Sequence, residues 1–249
     1  MIKKTTLETQ TTIRNFLQCG EIALLYKKSF VNRRGTTTEI PRYYTEIVAE
    51  EVLEWLRHNR LKDKIVTVGR EEYVVPGRDR RKKEKTNRQE EHSAKELYSY
   101  CRGGVEINGL GNIIDYQIPL KKTSQDEGVG KIDLVAYERK DNAVYLIEYK
   151  SHNNYSDTLL RAVLEIATYY QQLSLENILK SYSNELNGAT ENDIRKAVLL
   201  DEGCRAYKEA KELSSKRPKL SELIKKLKVA IFLMPKNSAT QYCAIRMFH

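Results

Sequence analysis

The chain has 249 residues, enough to bury a sizeable core, and its 40% hydrophobic and 31% charged side chains are the mix of a globular protein rather than a disordered or collagen-like one. A formal net charge of +9 favours polyanionic partners, nucleic acid or an acidic membrane surface, although a basic protein can also be merely soluble. The four cysteines, Cys19, Cys101, Cys204 and Cys243, form no C-x-x-C pair, which argues against a zinc knuckle or a disulfide framework and fits a reducing compartment. Met1–Leu7 is not followed by the apolar stretch of a secretory signal, and runs such as Val229–Met234 are too short to span a bilayer. A cytoplasmic protein without a membrane partner is expected.

Residues 1–60 read as mainly helical, with a basic, turn-rich interruption at Asn32–Thr38. Over Tyr43–Arg60 the apolar positions Ile47, Val48, Val52, Leu53 and Leu56, with Trp55 beside them, recur at helical spacing. Such a helix suits packing on the main domain better than docking a partner. Ile65–Val68 and Tyr73–Val75 have strand composition, and Pro76-Gly77 ends the second. Arg78–Arg88 then carries seven basic and two acidic side chains. It reads either as a solvated loop or as a polyanion contact, with Arg80, Arg81, Lys82, Lys83 and Arg88 as candidate phosphate ligands. The run leads into a helix over Gln89–Cys101. Its stripe of Ala94, Leu97, Tyr98 and Cys101 is extended one turn towards the N-terminus by Glu90 and Glu91. An acid there either favours the helix dipole or faces a site.

Gly103-Gly104 and Asn108–Gly111 break the chain, and Ile113–Leu120 is a strand with Pro119 near its end. A polar loop leads to two β-rich runs, Ile132–Tyr137 and Ala143–Ile147, joined by the turn Arg139–Asn142. With that turn centred between Lys140 and Asp141, Asp133 faces Glu148, their Cβ atoms roughly 5 Å apart. Lys150 follows on the same face, about 6.6 Å along the strand. Two facing carboxylates repel unless a cation or a proton lies between them, so the pair asks for a metal.

After Lys150 the polar link Ser151–Ser156 leads to a helix from Asp157, a plausible N-cap, to about Leu173. Leu159, Val163, Ile166 and Tyr170 form its inner stripe. Arg161, Glu165 and Tyr169 fall at i, i+4 and i+8 beside it, either a surface ion-pair row or a row aimed at a phosphate. Ser183–Gly188 reads as a loop, Glu191–Ser214 as a second long helix and Lys219–Leu227 as a shorter one. Lys228–Met234 is an all-apolar strand suited to a central place in a sheet, and Tyr242–Phe248 a last strand. His152 is either a solvated histidine or a phosphate contact, and His58, His92 and His249 have no ligand partner at metal spacing. Phosphate-cradling glycine motifs are missing, which argues against a nucleotide motor or a dinucleotide enzyme.

Asp133 in Gly130-Lys131-Ile132-Asp133-Leu134 and the triplet Glu148-Tyr149-Lys150, set on paired strands after a helix and a first strand, resemble the PD-(D/E)XK nucleases. That family's core is an α-β-β-β-α-β unit with one acid on the second strand and Glu/Asp-x-Lys on the third. The resemblance spans roughly residues 89–175, and the C-terminal strands more loosely; Ile132 stands where the literal motif has Pro. A bare Glu-x-Lys carries little, since Glu209-Ala210-Lys211 repeats it in a helical pattern, where it reads as an ordinary exposed pair.

The implied fold is α/β, a restriction-endonuclease-like core with a mixed central sheet flanked by helices over residues 78–249. A mostly helical N-terminal extension with short strands, residues 1–77, precedes it. The implied activity is Mg2+-dependent hydrolysis of phosphodiester bonds, in DNA by preference, with Mn2+ able to substitute. Asp133, Glu148 and the Tyr149 carbonyl would hold the metal, and Lys150 would orient the attacking water. An acid from the first helix, Glu91 with Glu90 in reserve, completes the site. The implied partner is nucleic acid, held by the basic run and Arg161, and a homodimer would let two sites cut both strands of a duplex. Two readings compete with this one: a catalytically inactive nucleic-acid-binding or assembly module of the same fold, and a purely structural ion-pair network around Lys150.

Overall fold

In the computed structural model, residues 4–75, 89–123, 126, 129–236 and 242–247 are described. Two helices open the chain, α1 (Thr6–Gln18) and α2 (Tyr44–His58). Thr5 and Glu8 form a reciprocal capping box that satisfies otherwise orphaned N–H groups at the start of α1. α2 buries Ile47, Val48 and Val52, the stripe expected from their spacing. Then come α3 (Gln89–Cys101), the strands β1 (Asn112–Pro119), β2 (Lys131–Glu138) and β3 (Ala143–Lys150), and the helices α4 (Leu159–Gln172) and α5 (Leu175–Ser181). The chain ends with β4 (Ile194–Asp201), α6 (Arg205–Lys211), α7 (Pro218–Leu227), β5 (Val229–Met234) and the short β6 (Ile245–Arg246).

The six strands form one mixed sheet in sequence order. β1, β2 and β3 are antiparallel, β3, β4 and β5 are parallel, and β6 returns antiparallel to β5. The β2–β3 hairpin has the expected register, with Leu134 opposite Ile147 and Glu138 opposite Ala143. All eight positions of β3 are buried, because helices cover both faces. Ala143, Tyr145, Ile147 and Tyr149 pack with Ala94, Leu97 and Cys101 of α3. Val144 and Leu146 pack on the other face with Leu160, Val163 and Ala167 of α4. Side chains alternate along a strand, so Glu148 and Lys150 follow Val144 and Leu146 onto the α4 face. Ile13, Ile47, Val48 and Val52 belong to this same core together with Leu220, Leu223 and Ile224 of α7. Each such burial contributes about 1.5–3 kcal/mol, so the N-terminal helices and the sheet are stabilised jointly. No helix among the described residues is long and apolar enough to cross a membrane.

Several expectations need correction. The stretches 65–68 and 73–75 form no strand: Val66 is 84% exposed, while Tyr73 is buried with its N–H on Ser181 and its hydroxyl accepting from the Ser174 N–H. These residues bond to the end of α4 and to α5 instead of finding a partner strand. Glu191–Ser214 is not one helix but β4 followed by α6, divided at Gly203, whose φ of +108° no helix accommodates. The N-cap of α4 is Thr158 rather than Asp157, its side chain accepting from the Arg161 N–H. Glu209 is buried in α6, accepting from the Leu159 N–H at 2.9 Å and pairing with Arg205, so it is no exposed pair with Lys211. Arg80, Arg81, Lys82, Lys83 and Arg88 lie outside the described residues.

Candidate active site

The hairpin register, continued one residue past Leu134 and Ile147, sets Asp133 against Glu148 at the open end of the sheet. Both line a cleft of about 410 Å³ with Glu90, Lys150, Asp157 and Glu165. Asp133 is fixed from two sides. Its Oδ1 accepts from Gln117 Nε2 at 2.7 Å, and its Oδ2 accepts from the Tyr149 N–H at 3.0 Å. Gln117 stands in β1 between Tyr116 and Ile118, which pair with Leu134 and Ile132, so it falls opposite Asp133. It holds a left-handed φ of 49°, a conformation that costs a non-glycine residue about 1–2 kcal/mol and that clusters at functional sites.

Lys150 is buried and surrounded by acids, its Nζ 2.8 Å from Glu148, 3.2 Å from Asp157 and 3.9 Å from Glu90. Of the two helix acids, Glu90 is the one that reaches the cleft, where its Oε1 accepts from Asn154 Nδ2 at 2.6 Å. Glu91 is not among the residues lining it. Helical phase explains the choice: the fully buried line of Leu97 and Ala94 continues back four residues to Glu90, whereas Glu91 aligns with half-buried Tyr98.

The polar row of α4 also faces the cleft. Arg161 donates to Asp157 at 2.9 Å and lies 3.7 Å from Glu165, whose Oε1 accepts from the Tyr169 hydroxyl at 2.8 Å. Tyr169 stands 3.2 Å from the Tyr26 hydroxyl, and Gly130 leaves room for its ring: a Cβ at Gly130 would overlap the Tyr169 hydroxyl. Glu165 Oε2 and Arg161 Nε are buried without a hydrogen-bond partner.

Five carboxylates therefore converge on Lys150 and Arg161, with Lys121 and Lys131 bordering the same cleft. Burial pushes the Asp133 carboxyl up to about 7, and Glu90 and Glu165 add to the rise against the opposing pull of Lys150 and the Tyr149 N–H. Burial, then Asp133 and Glu165, hold Glu148 well above the usual carboxylate range. Burial works against the charge on Lys150, but Glu148, Glu165, Glu90 and Asp157 outweigh it and keep the amine protonated. Asp157 goes the other way: burial is overcome by Lys150, Asn154 and Arg161, and its carboxyl falls to about 2. On the opposite face, burial and Asp201 raise the Tyr149 hydroxyl, which donates to the Asp201 carboxylate. Burial lifts Asp201 itself to about 6.

His152 is exposed just beyond the strand, with its backbone N–H on Asp201. Among the described residues no group of three or more His, Cys, Asp or Glu side chains forms a ready-made metal cage. The structure brings Asp133, Glu148, Lys150 and the α4 row together at one cleft, as expected from the sequence, and adds Gln117, Asn154 and the charge of Asp157, which the sequence did not single out. Asp157 carried a signal, an acid four residues before Arg161 at a helix start; Gln117 carried only its place in an otherwise apolar strand. Compared with protein-family models, curated proteins and solved structures, the chain matches none.

Proposed function

We propose that the chain is a metal-dependent nuclease hydrolysing phosphodiester bonds, with DNA the favoured substrate, built on a restriction-endonuclease-like core. What supports the reading is one observation: five carboxylates face two inner cations, and Asp133 responds to its burial with a carboxyl near 7. A site that disfavours its own ionised acids is one that a divalent cation would stabilise. Asp133 and Glu148 offer the hard oxygen donors that Mg2+ prefers, and an ion that keeps several waters needs no closed protein cage. The Tyr149 carbonyl is the third donor implied by the family resemblance. When bound, the ion would supply Lewis-acid polarisation of the phosphate and lower the pKa of a water.

The protein's own groups do the rest. Lys150, held protonated, places a positive charge where negative charge develops on the phosphate. Gln117 and the Tyr149 N–H fix the orientation of Asp133, so that its oxygens need no reorganisation. Glu90 and Asp157 share Lys150 with Glu148, and moving Lys150 between them would free Glu148 for the ion.

The direct test is incubation of plasmid, linear and single-stranded DNA and of RNA with Mg2+ or with EDTA. Cleavage is expected with Mg2+ only, and is lost in Asp133→Asn and Lys150→Ala. The 2.8 Å contact of Lys150 with Glu148 favours one competing reading, a buried structural ion-pair network without a ligand. Under that reading Mn2+ titration shows no saturable site that depends on Asp133.

A further inference from the structure

On the far side of the link between β3 and α4 lies a second concavity of about 280 Å³ that has no lining residue in common with the carboxylate cleft. Its walls come from the N-terminal segment, α6 and the turn before α7, and they present Arg33, Arg34, Arg205, Lys208 and Arg217. Only Glu209 and Glu212 oppose them, and both are already engaged: Arg205 Nε donates to Glu209 at 3.0 Å and Arg217 Nε to Glu212 at 2.9 Å. The floor is built rather than incidental. Arg217 is buried, stacked 4.1 Å from the Tyr43 ring and bonded to Thr45 at 2.7 Å. At the mouth, Arg34 and Lys208 are exposed, and Lys208 has no ion pair among the described residues. Burial depresses the Arg205 guanidinium; Glu209 opposes the shift, while Arg34 and Arg217 add to it.

The two concavities share a wall. Asp157 and Arg161 line the cleft on one side. On the other, Arg34 donates to the Tyr155 carbonyl and Arg205 to the carbonyls of Ser156 and Asn32. In the link between the two, the Tyr155 side chain is 60% exposed. An exposed aromatic residue in a link bordered by basic hollows suits single-stranded nucleic acid, phosphates in the charged hollows and a base on the ring.

We propose that the pocket between the N-terminal segment and α6 binds a phosphate group, and that its natural source is the nucleic-acid strand leaving the carboxylate cleft over Tyr155. The phosphate chemistry stands on the pocket alone; the choice of a strand as its source rests on the nuclease reading. The site anchors a strand away from the scissile bond, and so selects for substrates long enough to reach it.

The experiment uses the full chain in EDTA, with Arg34→Ala/Lys208→Ala as the variant, because both side chains are exposed and their loss leaves the core intact. Inorganic pyrophosphate is expected to raise the unfolding temperature of wild type and of Asp133→Asn, but not of the variant. No shift in wild type, or an equal shift in the variant, overturns the phosphate site. In the second arm, fluorescence anisotropy with a 20-nucleotide single-stranded DNA is expected to show about tenfold weaker binding for each cation removed. The salt dependence should become shallower, by roughly 0.7 in the log–log slope per lost phosphate contact. Tyr155→Ala should weaken the oligonucleotide about tenfold and leave pyrophosphate unaffected. A pyrophosphate effect without an oligonucleotide effect overturns the strand as source and leaves a site for a small phosphate ligand. A positive pocket in a protein that cleaves nothing sinks the nuclease reading alone.

Discussion

Replacing Asp133 by Asn should make the folded chain more stable in alkaline buffer while abolishing the proposed cleavage of DNA. The carboxyl stands near 7 in the folded chain against an ordinary 3.8. A raised carboxyl pKa means that the folded state holds the proton more tightly, so this group's contribution to stability is complete below about pH 4. It is lost progressively as pH rises through 7. A gap of about three pK units corresponds to at most about 4 kcal/mol. Asn abolishes that penalty but has one acceptor oxygen for two donors, Gln117 Nε2 and the Tyr149 N–H. Leaving one donor unpaired costs about 1–3 kcal/mol. The net expectation is a gain of about 1–3 kcal/mol at pH 8.5, falling by about 3 kcal/mol to no gain or a loss at pH 4.5, where folded wild-type Asp133 is neutral and only the ionisation of the unfolded chain, worth about 1 kcal/mol, still favours Asn. Urea unfolding of both proteins at the two pH values measures it. An Asn variant less stable than wild type at pH 8.5, or a difference independent of pH, would refute the argument that Asp133 is strained by its surroundings.

Further outcomes follow from the same geometry. In wild type, saturating Mg2+ or Mn2+ should stabilise the fold at pH 8, by about 2.7 kcal/mol at a hundredfold excess over Kd, and Glu148→Gln should remove the resulting rise in midpoint in a thermal scan. Lys150→Met leaves Glu148 buried without its cation and Asp157 with Arg161 alone, so it should cost about 3–5 kcal/mol in denaturant unfolding besides eliminating the proposed cleavage; a fully stable variant would contradict the buried pairing. Glu90→Gln should lower the cleavage rate at least tenfold and Glu91→Gln should not, because only Glu90 lines the cleft; equal effects would count against the helical phase described above. Gly130→Ala should destabilise by about 1–3 kcal/mol in chemical unfolding, and by less in a Tyr169→Ala background, where the ring that its Cβ meets is absent.

The hairpin was legible in the sequence because two physical constraints agreed there. A four-residue turn fixed the register, and charges in apolar strands marked the residues that needed another reason to be present. The region 191–214 was not legible. In Ile194–Asp201 the polar residues come first and an apolar run follows, a pattern that fits a helix as well as a strand. Parallel pairing with β3 and β5 decided it, and only Gly203 hinted at the break. Glu209 illustrates the same limit: its Glu-x-Lys spacing looks exposed on a helical wheel, yet the start of α4 needs an acceptor for the Leu159 N–H, and Glu209 supplies it. Choosing between Glu90 and Glu91 required knowing that Ala94 and Leu97 are fully buried while Tyr98 is only half-buried, a difference that the apolar stripe of α3 does not reveal.

Asn32 links regions distant in the chain. Its amide nitrogen donates to Asp157 at 2.9 Å while its oxygen accepts from the Thr158 N–H at 3.0 Å, and the neighbouring Val31 carbonyl accepts from Thr158 Oγ1. The first turn of α4, and with it the acid that shares Lys150, is thus buttressed by a residue more than a hundred positions upstream. The sheet with its carboxylate cleft is therefore not portable: grafted onto another scaffold without residues 1–60, it would lose the brace that holds Asp157 against Lys150.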